Sequence, residues 1–224
     1  MGQGVVHPDT SWWSYRASLL SDVISYKRLR VSQASEEARI DAPFAVGYEE
    51  LAEIAWCSAE RLQLSARVGT GALKLKWLQQ GESAETEGSF GFVWGGQGKL
   101  IIFQVKDTLV GGGFTGGGFE RLAAYNRLGG DKQSSRERLT YRFWTVDVGV
   151  EQRFSSFRPY GGFLFGQSAW KVNEFFGHKI RFRDRHRSGI YIGCAVSNET
   201  FWLLDFELRQ LIEQAASVTF ALRF

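Results

Sequence analysis

The amino-acid sequence predicts an all-β protein, an antiparallel up-and-down transmembrane β-barrel of about ten strands, with eight as the alternative count. Three observations predict it. Apolar and polar residues alternate with period two through segment after segment. The connections between these segments alternate between long and short, and aromatic residues recur where the segments end. With 26 Gly, 18 Phe and 8 Trp but 3 Pro, the 224 residues suit twisted, ladder-forming strands. Closed barrels use this length as one unit, so one domain is expected over 1–224, with 1–13 a loose N-terminal segment.

Residues 22–32 (DVISYKRLRVS) and 43–56 (PFAVGYEELAEIAW) open the set, although Glu49–Glu50 breaks the phase there, as a bulge would. In 61–73, Leu62, Leu64, Ala66 and Val68 oppose Gln63, Ser65, Arg67 and Gly69. Residues 89–104 and 109–125 follow, the latter holding GGGFTGGGF. That run lacks a following Lys and a helical pattern, so close packing or a sheared corner explains it better than a phosphate loop. In 138–154, Trp144, Val146, Val148 and Val150 oppose Thr145, Asp147, Gly149 and Glu151. Next come 157–172, 187–196 and 200–211, the last with Trp202, Leu204, Phe206 and Leu208 against Asp205, Glu207 and Arg209. In 215–224, Val218, Phe220, Leu222 and Phe224 share one face.

The connections 32–41, 79–88, 126–138 and 173–187 are long and polar, whereas CSAE (57–60), VKDT (105–108), SSF (155–157) and SNE (197–199) are short. Up-and-down strands place every second connection at the same end, so one end carries loops and the other tight turns. Alternation alone fits a soluble barrel with its apolar face inward as well as a membrane barrel with that face outward. Strands of about 10 to 16 residues, with Trp56, Trp94, Trp144, Trp202 and Phe224 as belt residues, select the membrane barrel.

Several function classes drop out. No run of ~18 apolar residues marks a membrane helix. A net charge of +3 is too small to argue for nucleic acid. The start MGQGVVHPDT is polar, so the export this class requires implies a signal peptide already removed. Cys57 and Cys194 make neither a disulfide framework nor a metal spacing. The histidines are His7, His178 and His186; Ser188 and Asp184 lie near the last, but no hydrolase signature surrounds them. No catalytic residue, cofactor or metal is expected.

The expected lumen network is Arg67, Lys99, Glu120, Asp147, Glu151, Arg153, Asp205, Glu207, Arg209 and Arg223. A barrel this narrow is filled by side chains, so these charges should pair into a plug; a charged permeation path is the alternative. The final strand, alternating to Phe224, looks like the assembly signal of Gram-negative outer-membrane barrels, read by the barrel-assembly machinery through Val218, Phe220, Leu222 and Phe224. The hairpin DFELRQLIEQAASVTFALRF resembles the closing hairpin of chlamydial-type major outer membrane proteins through Asp205, Glu207, Arg209, Glu213, Ala215, Ala216, Arg223 and Phe224. This resemblance implies location in the bacterial outer membrane and says little of activity.

The loop 173–187 sets Lys179, Arg181, Arg183, Arg185 and Arg187 on one face of an extended hairpin. On the outer surface they would meet lipopolysaccharide phosphates. The expected function is therefore structural or loop-borne surface recognition, with outer-membrane lipids and lipopolysaccharide as partners. The alternatives are a narrow channel for ions or small solutes, a membrane hydrolase and a soluble ligand-binding barrel.

Overall fold

The computed structural model describes residues 13–34, 40–58, 61–88, 91–134, 138–175, 178–198 and 201–224. Its strands are β1 (Trp13–Gln33), β2 (Ile40–Ser58), β3 (Leu62–Gln79), β4 (Glu82–Gly88), β5 (Gly91–Val105), β6 (Thr108–Leu128), β7 (Asp131–Ser134), β8 (Arg138–Gln152), β9 (Phe157–Phe175), β10 (His178–Asp184), β11 (Ser188–Ser197), β12 (Trp202–Gln210) and β13 (Gln214–Arg223). The first strand thus begins at Trp13, nine residues before the expected Asp22, and the N-terminal 1–12 lies outside the described residues.

Ten of these strands close a ring through antiparallel pairing in the order β1, β2, β3, β5, β6, β8, β9, β11, β12, β13 and back to β1. Closure removes the exposed edges an open sheet would present. Following register partners from Ser21 through Glu50, Thr70, Phe92, Glu120 and Thr140 reaches Lys171 on β9. Going the other way, through Val218, Phe206 and Cys194, reaches Pro159 on β9, twelve residues lower. A stagger of that size over ten strands implies a tilt of ~40° and a backbone radius of ~10 Å. Inward side chains ~6–7 Å long nearly meet across such a ring.

The expected long loops are corrected at three places. Residues 82–88, 131–134 and 178–184 are strands that carry the wall onward past the lipid. There β10 takes the place of β11, β12 and β13 by pairing with both β9 and β1, while β4 bridges β3 and β6. The ten-stranded barrel therefore continues as a narrower ring of β1, β2, β3, β4, β6, β8, β9 and β10. The short connection 211–213 lets this happen, because the β12–β13 hairpin turns early, with Leu211 at a positive φ of 80°.

Single strands show where the lipid ends. On β3, Leu64 and Val68 face out and Gln63 and Arg67 face in; ten residues on, Leu73, Leu75 and Trp77 face in and Lys74 and Lys76 face out. On β8, Asp147 and Glu151 are inward below Phe143, and Tyr141 and Leu139 are inward above it. On these two strands the alternation does not slip; what inverts is which row is polar. Below the switch the outward row is solvated by lipid, above it by water. Exposed aromatics mark both edges: Phe92, Trp94, Trp144 and Phe165 above, Tyr15, Phe103, Phe157, Trp202 and Phe224 below. Glu49 is inward and buried while Glu50 is outward beside Ser21 and Thr70, so the pair continues the alternation and the register shift falls instead between Asp41 and Phe44.

Glycines in the wall make room for lumen side chains. A Cβ at Gly193 would collide with the Tyr160 ring, and one at Gly149 with the Tyr191 hydroxyl. In the GGGFTGGGF run, a Cβ on Gly117 would meet the Phe143 ring at 3.1 Å, as the close-packing reading expects.

Candidate functional site: the lumen and the outer ring

The interior has two storeys. The lower one, level with the lipid, is ionic. Arg209 on β12 donates from Nη2 to both oxygens of Asp22 on β1, at 2.6 and 2.7 Å. It also donates from Nε to Glu213 at 2.8 Å and from Nη1 to Glu207 at 3.3 Å. Lys27 joins Glu213 at 3.0 Å and Asp184 at 3.6 Å. Asp184 in turn accepts from the backbone N–H of Ser168 at 2.5 Å and from its hydroxyl. This belt spans the barrel from β12 and the connection after it through β1 to β9 and β10. Beneath it, Tyr160 donates to Asp205 at 2.7 Å and Gln97 to Thr115 at 3.0 Å. Glu53 holds Arg16 at 3.2 Å and Arg67 at 3.6 Å. Opposite signs meet in the belt and around Glu53, as buried charges require.

The upper storey is apolar. Trp77 packs on Phe175 and Phe182 with ring centres 4.6 and 5.5 Å away, and Tyr141 lies 4.2 Å from Trp170. Leu73, Leu75, Leu139 and Ile180 fill the remaining width. The two storeys are joined where Trp170 donates to Ser168, itself bonded to Asp184. A cavity of about 30 Å³ separates the belt from Tyr141 and Phe143, room for about one water.

Of the expected lumen network, Arg67, Lys99, Asp147, Glu151, Asp205, Glu207 and Arg209 are inward and buried. Arg153 sits beside Glu151 at 3.4 Å at the end bearing the tight turns, and Arg223 is half-buried on the inward row of β13 there. Glu120 is a correction: it points outward above the lipid, exposed, 3.3 Å from Arg138. Its neighbour Phe119 takes the inward position, because above the switch the inward row is apolar. A plug made only of charge is likewise corrected, since its outer half is aromatic. Sequence reasoning missed Arg16, Asp22, Lys27, Glu53, Asp184 and Glu213. Arg16 and Asp22 share an inward row with Ser18 and Leu20, a signal that starting the strand at Asp22 concealed.

The segment 179–187 is also corrected from loop to strand for its first part. Lys179, Arg181 and Arg183 face out from β10 while Ile180, Phe182 and Asp184 face in; Arg185 and Arg187 are exposed beyond its end. Val218, Phe220, Leu222 and Phe224 form the outward row of β13, and Phe224 exchanges backbone hydrogen bonds with Tyr15 across the seam. Cys57 and Cys194 are both free.

On the β3–β4–β6 side of the outer ring the charges pair. Lys74 reaches Glu85 at 2.7 Å and Glu87 at 3.0 Å, and Tyr125 donates to both carboxylates. The Tyr125 hydrogen bond leads in holding Glu87 below the usual carboxylate range, and that same bond, with partial burial, pushes Tyr125 up to about 12. Burial opposes the ionisation of Glu85, but hydrogen bonds from Lys74 and Tyr125 outweigh it and its carboxyl is held low.

His7 lies outside the described residues, and His186 is exposed. Asp184 is engaged with Ser168 and Lys27 inside the wall, so the sequence-near Ser188 and Asp184 do not assemble a triad with His186. Among the described residues no group of three or more His, Cys, Asp or Glu is placed to hold a metal.

No family model matches the chain. No curated protein matches it either. Solved structures do. The outer membrane protease OmpT from Escherichia coli superposes with a TM-score of 0.52 at 11% identity, over 94% of this chain and 95% of that one. The translocator domain of the autotransporter NalP from Neisseria meningitidis gives 0.44 at 10% identity over 96% and 89%. The Ralstonia pickettii toluene transporter TbuX gives 0.42 at 11% over 94% and 89%. The chain has the fold of Gram-negative outer-membrane β-barrels. The expectation that it is not an enzyme is corrected, because a protease is built on this fold and the fold therefore carries no argument against catalysis.

Proposed function

We propose that the chain is a non-conducting outer-membrane barrel, reached by export with loss of a signal peptide, whose outer ring recognises anionic partners at the cell surface. The observation that carries this reading is the two-storey closure, an ionic belt under an aromatic core with about 30 Å³ between them. Purified protein in a planar bilayer should give no steady current steps. Replacing Arg209, Lys27 and Glu213 with Ala, together with Trp170 and Phe182, should open a leak. Large stable currents from the unmodified protein would instead favour the second reading, a narrow channel. That reading draws on Arg67, whose guanidinium is buried in the lower storey with none of its nitrogens in a hydrogen bond among the described residues.

Recognition rests on the outward cations of β10 and the residues after it, Lys179, Arg181, Arg183, Arg185 and Arg187. Arginine binds phosphate or sulfate through paired charge-assisted hydrogen bonds. Changing Arg181, Arg183 and Arg185 to Gln should weaken binding of heparin, a soluble polyanion, while the melting temperature barely moves. The wild-type affinity should fall steeply with salt, as the screening length shrinks from ~10 Å at 0.1 M to ~3 Å at 1 M. Salt-insensitive heparin binding that survives the triple change would return the segment to a merely solvated surface. The likeness of the closing hairpin to chlamydial-type proteins supports a shared mode of assembly in this reading, not a shared activity.

A further inference from the structure

The outer ring is cationic on one side only, and the cations there reach beyond β10. Arg142 on β8, Lys171 on β9, Arg181 and Arg183 on β10, and Arg28 and Arg30 on β1 all point outward and are exposed. Register sets Arg181 directly beside Lys171, and Arg183 directly beside Arg30. Like charges in that position destabilise a sheet unless something lies between them. On the opposite side Lys74 is satisfied by Glu85 and Glu87. Here none of the six is in an ion pair among the described residues, and the nearby Glu120 is already joined to Arg138.

These cations bound two grooves. One, about 510 Å³, is lined by Arg142, Lys171, Arg181 and Arg183, with Glu120 as its acidic member; the other, about 710 Å³, by Arg28, Arg30 and Arg185, with Asp41 as its acidic member. The adjacent Arg183 and Arg30 form the ridge between them. Below the first groove, on the same two strands, the wall turns lipid-facing. Trp144 follows Arg142 on the outward row of β8, its ring 5.8 Å from that of Phe165 on β9, and Phe163 is 69% exposed. Cations thus stand at headgroup height directly over an aromatic surface at acyl-chain height.

We propose that this face binds a phosphorylated glycolipid of the outer leaflet. One phosphate sits in each groove, and acyl chains lie over Trp144, Phe163 and Phe165. The inference deepens the surface-recognition reading, on which it rests, by naming a lipid-borne bis-phosphate rather than a soluble polyanion. A phosphate monoester accepts two parallel hydrogen bonds from one guanidinium and relieves the Arg–Arg and Arg–Lys juxtapositions. The apolar wall adds what a soluble polyanion cannot use.

The test uses the whole protein in phosphatidylcholine nanodiscs, titrated with bis-phosphorylated lipid A, with its dephosphorylated form and with heparin. Arg142→Gln/Lys171→Gln and Arg28→Gln/Arg30→Gln should each lower lipid A affinity about ten-fold or more, since each removes charged hydrogen bonds. The charge-conserving pair Arg142→Lys/Lys171→Arg should keep most of the affinity, which excludes misfolding as the cause. Lys76→Gln/Arg127→Gln on the opposite side should change nothing. Lipid A and its dephosphorylated form binding alike, or an equal loss from the opposite-side pair, would overturn the glycolipid site while heparin binding kept the broader reading standing. Wild-type protein that binds neither lipid A nor heparin would overturn both.

Discussion

Replacing Arg209 with Met should destabilise the folded barrel by about 3–5 kcal/mol, the range for breaking one partner out of a buried ion network. Arg209 serves three carboxylates at once: Asp22 at 2.6 Å, Glu213 at 2.8 Å and Glu207 at 3.3 Å. Methionine fills much of the volume but removes the guanidinium that Asp22, Glu207 and Glu213 share. The loss should therefore come from stranded negative charge rather than from a cavity. Adding Asp22→Asn to Arg209→Met should recover part of the stability, because the stranded group is then neutral. Urea unfolding in lipid vesicles reads both effects. A single variant within ~0.5 kcal/mol of wild type, the range of ordinary surface changes, would mean that water compensates the belt and that the lumen is wet at that level. Such a result would also revive the narrow channel.

The fold was legible because period-two alternation and the asymmetry between the two ends are read locally; the alternation survives in the structure, whereas three of the four long connections contain strands. Trp144, Val146, Val148 and Val150 do face lipid, and Asp147 and Glu151 do face in. What escaped was the level at which the outside solvent changes. Leu73, Leu75 and Trp77 continue the alternation of β3 without a break, yet pair with outward Lys74 and Lys76. Polarity of the rows, read strand by strand, holds that switch; a single assignment of apolar residues to the lipid side for the whole chain does not. Glu120 was misplaced for this reason, since it lies above the switch beside inward Phe119. The three added strands were missed because QQGESAETEG, NRLGGDKQSSRER and NEFFGHKIRFRDRHR are rich in charge, and charge on a water-facing strand resembles a loop. The ion belt was beyond sequence reasoning for a different reason. Asp22 and Arg209 are 187 positions apart and meet only because the ring closes β13 onto β1.

Phe224→Asp should reduce the fraction of chain assembled into the outer membrane several-fold, whereas Arg223→Gln should leave it near normal. The two residues are adjacent but belong to different rows. Phe224 is 74% exposed on the lipid side, in line with Val218, Phe220 and Leu222; Arg223 is turned inward. Both lie at the seam, where Phe224 donates its N–H to Tyr15 at 3.1 Å and accepts one from Tyr15 at 3.2 Å. Those bonds are made by backbone, so neither substitution removes them. Solvation by lipid cannot supply a large effect either, because a charge near the interface costs only about 0–1 kcal/mol. A several-fold loss would thus require that the outward row be read during insertion, as the assembly reading proposes. Heat-modifiable migration of outer-membrane fractions separates folded from unfolded chain and measures the outcome. Refolding the purified variant into vesicles isolates the second factor: Phe224→Asp should refold there nearly as well as wild type. Normal assembly in cells would end the recognition role of this row, and failure to refold in vesicles would assign the defect to closure of the seam.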